Sequence, residues 1–402
     1  MWKLAWRNVF RNRGRSALTL GAIMSGVASL IVVGGFVEDI LVQLREGTIH
    51  SQYGHIQIYK AGYSIAGRRA PFQYMITDPD LIVHRIDGIA HVATITPRLN
   101  LSGLLSNGKT NLAVIGEGVD AEKERSISNF LKLVSGKSLS AELPYGILLG
   151  QGVANSLKLK VGDRATLLLS TMGGAFNTLD FEVVGIFQTF SKDFDDRAVR
   201  ITIGAGQELL NTKAVHKLVL GLDDTAATEA VAATIRGVLG PEQFEIKEWQ
   251  QLADFYQSAV DLYRRYFIIF RIIILGMVLL GVANSVNLSI FQRTGEFGTL
   301  RAIGNRSGAI FRLLICEHLI LAMLGSSAGV AFGAAIAWAV SQVGIPMPSM
   351  PNSNAAYNAQ ITIVPSEILT AFAIGLAATL CAAILPALRA TKLPVVEALR
   401  YN

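Results

Sequence analysis

Charge is scarce in this 402-residue chain: Asp, Glu, Lys and Arg together make 16% of it, against 51% apolar residues. So little charge cannot coat a wholly water-soluble protein of this length, and the composition calls for a second, apolar solvent. Cysteine is nearly absent. Cys316 and Cys381 both fall in apolar runs, so the large polar region has no disulfide framework. The chain contains no G-x-x-x-x-G-K-[ST] phosphate cradle and no H-E-x-x-H. Its six histidines (His50, His55, His84, His91, His216, His318) do not recur at metal-ligand spacing. Residues 170–174, STMGG, read as a turn and not as a nucleophile elbow. Asp193, Asp195 and Asp196 could bind a cation, but read more readily as loop solvation or as pairing with Arg197 and Arg200. With these motifs missing, the chain is expected to be no enzyme and to hold no cofactor or metal of its own.

What is present is four long apolar runs. Residues 16–37 carry no charge until the run ends, which is enough to cross about 30 Å of hydrocarbon. Runs at 267–290, 313–343 and 368–388 give spans two, three and four, with Pro386 expected to kink or end the last. Gly21, Gly26, Gly34 and Gly35 in span one, and Gly325, Gly329 and Gly333 in span three, predict close helix packing. Gly276, Gly281, Asn284, Ser285 and Asn287 in span two read as helix–helix contacts. Arg271 is expected to snorkel or pair near the outer end of that span, and Glu317 with His318 to find a structural partner such as Arg312.

The net charge of +6 is unevenly placed. Residues 37–266 hold 26 acids and 23 bases, which leaves +9 for the remainder. That excess sits beside the apolar runs, as a membrane protein requires and a nucleic-acid patch does not. Lys3, Arg7, Arg11, Arg13 and Arg15 precede span one, interleaved with Trp2, Leu4, Trp6, Val9 and Phe10, and predict an amphipathic elbow helix against membrane lipid at 1–15. Arg293, Arg301, Arg306 and Arg312 face a single acid, Glu296, in the short loop 291–312, and Arg389, Lys392 and Arg400 mark the tail 389–402. The loop 344–367 has neither Lys nor Arg. The positive-inside rule then puts both termini and 291–312 in the cytoplasm and 38–266 outside. Alternating strand patterns (GHIQIYK, 92–97, 110–115, 164–170, 180–187, 217–222) and helical ones (226–239, 249–266) predict an α+β domain there, in two lobes divided near 116–141. The fold class is therefore membrane α-helical, four transmembrane helices, with a large α+β domain between helices one and two.

Three motifs, in order along the chain, resemble those of the FtsX/MacB-type ABC transporter permeases, the type VII or mechanotransmission class. WRNVFRNRGRSALT resembles the family's start. Glu296, Gly298, Arg301, Ala302 and Gly304 match its E-x-G-hydrophobic-x-R-A-hydrophobic-G loop, with Phe297 where an aliphatic residue is commoner. Pro386, Ala387, Ala390, Pro394, Ala398, Leu399 and Arg400 match its ending. The region between resembles the MacB-like periplasmic core domain, and YGHIQIY is similar to the lipoprotein-releasing (LolC/LolE) branch. The resemblance implies a permease in the bacterial inner membrane, paired with a second permease, identical or homologous. It implies two copies of an ABC ATP-binding subunit that carry the ATP and Mg, and a periplasmic chaperone or adaptor. It also implies that Arg293, Glu296, Phe297, Gly298, Leu300, Arg301, Ala302 and Gly304 couple to that ATPase. Val27, Leu30, Ile31 and Val33, with Leu275, Met277 and Leu279, are candidates to line a lateral path for a lipid-linked substrate. Lipoprotein extraction is the leading function. The alternatives are drug, toxin or peptide efflux through an adaptor, mechanical signalling to a periplasmic partner without cargo, and, distantly, a tethered enzyme.

Overall fold

The computed structural model describes residues 2–11, 13–67, 69–127, 131–189, 191–347 and 357–391. They fall into a helical unit (Met1–Leu41, Val260–Pro346 and Asn358–Asn402) and a mixed unit (Val42–Ala259 with Met347–Tyr357). The tail motif from Pro394 to Arg400 and the centre of the 344–367 loop lie outside the described residues.

Among the described residues four helices are long and apolar enough to cross a membrane: span one, Arg13–Thr48; span two, Asp254–Gln292; span three, Ser307–Val343; span four, Pro365–Thr391. The helices outrun several of the apolar runs because hydrocarbon sets the length of the run, whereas the hydrogen-bonded backbone continues into polar sequence. Span four does not end at Pro386; the proline is buried within the helix, which continues to Thr391. Its ring removes one backbone donor from the helix interior.

Span three packs on span one through its glycine face. A Cβ at Gly325 would stand 2.9 Å from Ile23, one at Gly329 2.7 Å from Val27, and one at Gly333 3.0 Å from the Ala28 backbone. Span two approaches span one where Gly26 faces Val278, and Thr19 hydrogen-bonds Ser285 across the same pair. Asn284 and Asn287, in contrast, are exposed. At the other end of the bundle Arg271 pairs with Glu367, its guanidinium 4.3 Å from the Phe267 ring centre.

The mixed unit contains β1 (Ile56–Lys60), β2 (Val92–Ser106), β3 (Asn111–Val119), β4 (Lys132–Gly136) and β5 (Gly146–Gly150). It continues with β6 (Arg164–Ser170), β7 (Phe176–Gln188), β8 (Ala198–Thr202), β9 (Lys217–Leu222) and β10 (Phe244–Glu248). The pairings β2–β3–β8–β5–β7–β6–β2 close a ring, with β3–β8 and β5–β7 parallel and the rest antiparallel. Leu99, Leu101, Leu149, Leu167, Phe181 and Val199 belong to one core there. A second core, with Ile56, Ile58, Leu218 and Leu220, lies where β10–β1–β9 and the start of β2 meet the helices Pro79–Ile86 and Thr228–Leu239.

The long strand β2 serves both cores. Its first half pairs with β9 and its last four residues with β6. The expected lobe boundary at 116–141 is thus corrected: that stretch includes the end of β3 and β4, inside the ring side of the unit, and the changeover lies in mid-β2. The acidic loop is corrected too. Asp195 is buried and accepts hydrogen bonds from the Thr189 amide (3.0 Å) and hydroxyl (2.7 Å).

Five charged groups meet at the changeover. Arg98, fully buried, reaches Glu124 at 2.6 Å and Glu117 at 3.5 Å. Arg200 reaches Glu117 at 3.3 Å and Glu124 at 3.4 Å, and Lys217 reaches Glu117 at 3.2 Å. Three cations against two carboxylates leave one positive charge over. The carbonyls of Gln52 and Ser51, at the end of the helical turn that follows span one, accept from Arg98 and Arg200, the latter at 3.0 Å. Helix C-terminal carbonyls are orphaned and partially negative, so they complete the balance.

Burial pushes the Glu117 carboxyl up, but Arg98, Lys217 and Arg200 outweigh it and bring it down from 4.5 to about 2. A carboxylate with a lowered folded-state pKa contributes stability above its unfolded value that is lost as pH falls through the folded one. Acid should therefore erode this contribution between pH 4.5 and about 2. Glu117→Gln should lower stability at neutral pH by roughly 3–5 kcal/mol, because buried cations lose their partner, and should flatten the acid limb in unfolding curves of the full chain. In the helical unit, Gly329→Val should cost about 1–3 kcal/mol by overpacking against Val27, whereas Gly21→Ala, with nothing near its Cβ, should leave the melting temperature in detergent unchanged or raised.

Candidate functional site

Between spans two and three the chain forms a short helix, Thr294–Ala302. Arg293 breaks out of helical geometry ahead of it, and Gly304 turns the chain at φ 98°, a left-handed value that suits glycine. Span three then starts at Ser307.

The helix is held by a charge network. Arg293 is buried and donates to Glu317 of span three at 2.9 Å and to Glu296, one turn on, at 2.9 Å. Glu317 also accepts from the Asn8 amide at 2.6 Å, and Glu296 from Arg11 at 2.6 Å. Both donors sit on the elbow helix, Trp2–Arg11. Glu317 therefore pairs with Arg293, not with Arg312: Arg293 enters from the side on which the network lies. Burial raises the Glu296 carboxyl, but hydrogen bonds and charge from Arg293, then Arg11, overcome this and hold it below the usual carboxylate range. A polar cavity of about 30 Å³ adjoins the network, lined by Ser16, Thr19, Ser285, Ser289 and His318 among others. That volume admits a water molecule among several hydrogen-bonding groups.

The eight candidate coupling residues divide by position. Arg293, Phe297 and Gly298 are buried within the chain and hold the helix in place. Glu296 is part of the network, and Arg301 donates to the carbonyl of Thr391 at the end of span four (3.4 Å), where a cation also suits the helix dipole. Leu300 is half-buried, Glu296 is exposed although it belongs to the network, and Ala302 and Gly304 lie at the surface. Between them stands Ile303, 77% exposed, which sequence reasoning did not single out. An isolated aliphatic residue amid Gly304, Asn305 and Arg306 was the available signal. Asn8 and Arg11 were likewise unread as partners of this network, since nothing local links residues about 300 positions apart, and Glu317 was read as a partner of Arg312.

The candidate lining residues of a lateral path differ in exposure within the chain. Val27, Leu30 and Ile31 are buried, and Val27 and Ile31 face the glycines of span three. Leu275 and Leu279 pack against the same core, and Val33 is half-buried. Met277 is 69% exposed, in line with exposed Ile273 and Leu280 on span two. The glycine face explains the burial on span one, because it draws Val27 and Ile31 inward.

Comparison with known proteins gives two family matches. Residues 16–238 match the MacB-like periplasmic core domain, and residues 268–395 match the FtsX-like permease C-terminal domain. Among curated relatives, the lipoprotein-releasing system transmembrane protein LolC of Neisseria meningitidis serogroup B is 23% identical over 96% of this chain and 94% of its own length. The macrolide export ATP-binding/permease protein MacB of Hyphomonas neptunium is 24% identical over 99% of this chain, which spans 60% of that protein. LolE of Haemophilus influenzae is 22% identical over 78% of the chain and 79% of its own length. The periplasmic region of MacB from Actinobacillus actinomycetemcomitans aligns with a TM-score of 0.39 at 13% identity, over 52% of this chain and 94% of that one. The four spans, the mixed domain between the first two and these two matches together make the chain a member of the FtsX/MacB-type ABC transporter permeases, an inner-membrane protein with a periplasmic domain.

Proposed function

We propose that this chain is the permease subunit that receives the work of a separate ATP-binding subunit through the Thr294–Ala302 helix and passes it to the periplasmic domain. The observation that carries this reading is the contrast within the loop. Ile303 projects into solvent between Ala302 and Gly304, while Arg293, Phe297 and Glu317 hold the helix beneath it rigidly. An exposed apolar knuckle on a braced support is the form a docking contact takes. Both termini and this helix face the cytoplasm, by the placement of basic residues around the spans. The nucleotide and its Mg belong to two ATP-binding subunits, and a second permease, identical or homologous, completes the assembly.

The cargo reading is extraction of a lipoprotein or other lipid-linked substrate. It is supported by the LolC relative, which is similar over nearly the whole length of both chains, and by the exposed apolar face of span two at Ile273, Met277 and Leu280. A periplasmic chaperone would receive such a cargo. Efflux of a drug, toxin or peptide with a periplasmic adaptor is the second reading, favoured by the MacB relative that aligns with almost all of this chain.

Ile303→Asp should weaken docking of the ATP-binding subunit by about tenfold or more, the equivalent of roughly 1.4 kcal/mol, in co-purification titrations, with the permease still folded and inserted. Glu296→Lys and Arg301→Glu should each uncouple ATP hydrolysis from transport, and normal transport by these variants would overturn the assignment. For the cargo, acylated lipoprotein should accelerate ATP hydrolysis by the reconstituted transporter and a macrolide should not. Proper lipoprotein sorting in cells depleted of the chain would sink the lipoprotein reading.

A further inference from the structure

The elbow helix Trp2–Arg11 has side chains sorted into rows. Ala5 and Val9 are buried, on the side where the helix packs on span three. Next around the helix come Trp2, Trp6 and Phe10, each four residues from the last. They stay 56%, 52% and 49% exposed, with the Trp6 and Phe10 ring centres 5.0 Å apart. The following row is Lys3, Arg7 and Arg11, and the helix contains no acid. Arg11 pairs with Glu296, while among the described residues Lys3 and Arg7 form no ion pair.

We propose that this double row is a binding site for anionic phospholipid headgroups, with Lys3 and Arg7 on the phosphates and the three aromatic rings at the boundary with the acyl chains. Three features favour a bilayer over a protein partner. The rows alternate as the interface does, apolar beside cationic. Two cations without carboxylate partners among the described residues complement a negative lipid surface. The helix is also fixed close to the start of a span: its own inner face is packed, and residue 16, where the apolar run opens, lies five positions past its end. A ten-residue helix is about 15 Å long, so its exposed face stays near the headgroup layer. Arg11 belongs to the same basic row and braces Glu296, and Asn8 braces Glu317. Lipid seated on Lys3 and Arg7 therefore steadies the network under the Thr294–Ala302 helix. That last consequence rests on the coupling role proposed above; the lipid site does not.

The test uses the full chain in vesicles of phosphatidylcholine with a minor fraction of phosphatidylglycerol, brominating one lipid at a time. The difference in quenching between the chain and its Trp2→Phe/Trp6→Phe variant isolates these two indoles. Brominated phosphatidylglycerol should quench them at least about twofold more per lipid than brominated phosphatidylcholine, since interfacial cations attract anionic headgroups. Lys3→Gln/Arg7→Gln should bring the two lipids level. Equal quenching by both lipids in the unaltered chain would overturn the headgroup site. Strong quenching by aqueous acrylamide with none from either lipid would overturn the bilayer contact altogether and hand the face to a protein partner. Loss of ATPase coupling with the lipid preference intact would count against the coupling role alone.

Discussion

A helix that ends inside a folded domain leaves carbonyls with no partner, and the mixed unit meets that constraint with two buried guanidinium groups. Arg98 and Arg200 donate to Gln52 and Ser51 and, on their other side, to Glu124 and Glu117. Neither arginine would be tolerated in this setting without the carboxylates, and the carboxylates would not hold without the arginines. The polypeptide that leaves span one is thereby fixed at its first turn beyond the helix, on strands from both cores.

The helical unit is organised by the opposite means, the removal of side chains. Gly325, Gly329 and Gly333 let span three lie against Ile23, Val27 and Ala28 of span one, in a medium that supplies no hydrophobic drive between helices. Polar groups are gathered where spans one, two and three meet the elbow helix, and there they are ion-paired or hydrogen-bonded around a small cavity. The short helix that carries Ile303 thus rests on salt bridges below and on close backbone packing further along the bundle.

The spans were legible because length and apolarity in hydrocarbon are nearly sufficient causes of a transmembrane helix. Strands β6 and β9 were legible to the residue because alternation or bounded apolar runs marked both ends. β8, AVRIT, was not, because its buried Arg200 imitates an exposed position, and only the distant Glu117 and Glu124 make that burial possible. β10, FEIKE, was hidden by its acids and lysine, which suit an edge strand. In the candidate site, the motif falls on the Thr294–Ala302 helix but does not give the direction of its side chains. Phe297, where an aliphatic residue is commoner, faces inward, whereas Ile303 faces out.

Arg98 and Lys217 are register partners in the β2–β9 pairing. Between them in sequence lies the whole six-stranded ring, so the chain departs from one core and returns to it at neighbouring positions. Such a geometry is that of an inserted domain, whose ends meet and whose exchange disturbs little outside it. The outer surface of the ring can then vary while the lobe of β1, β9 and β10 stays constant, provided that Glu117, Glu124 and Arg200, the ring's own members of the charge network, are kept.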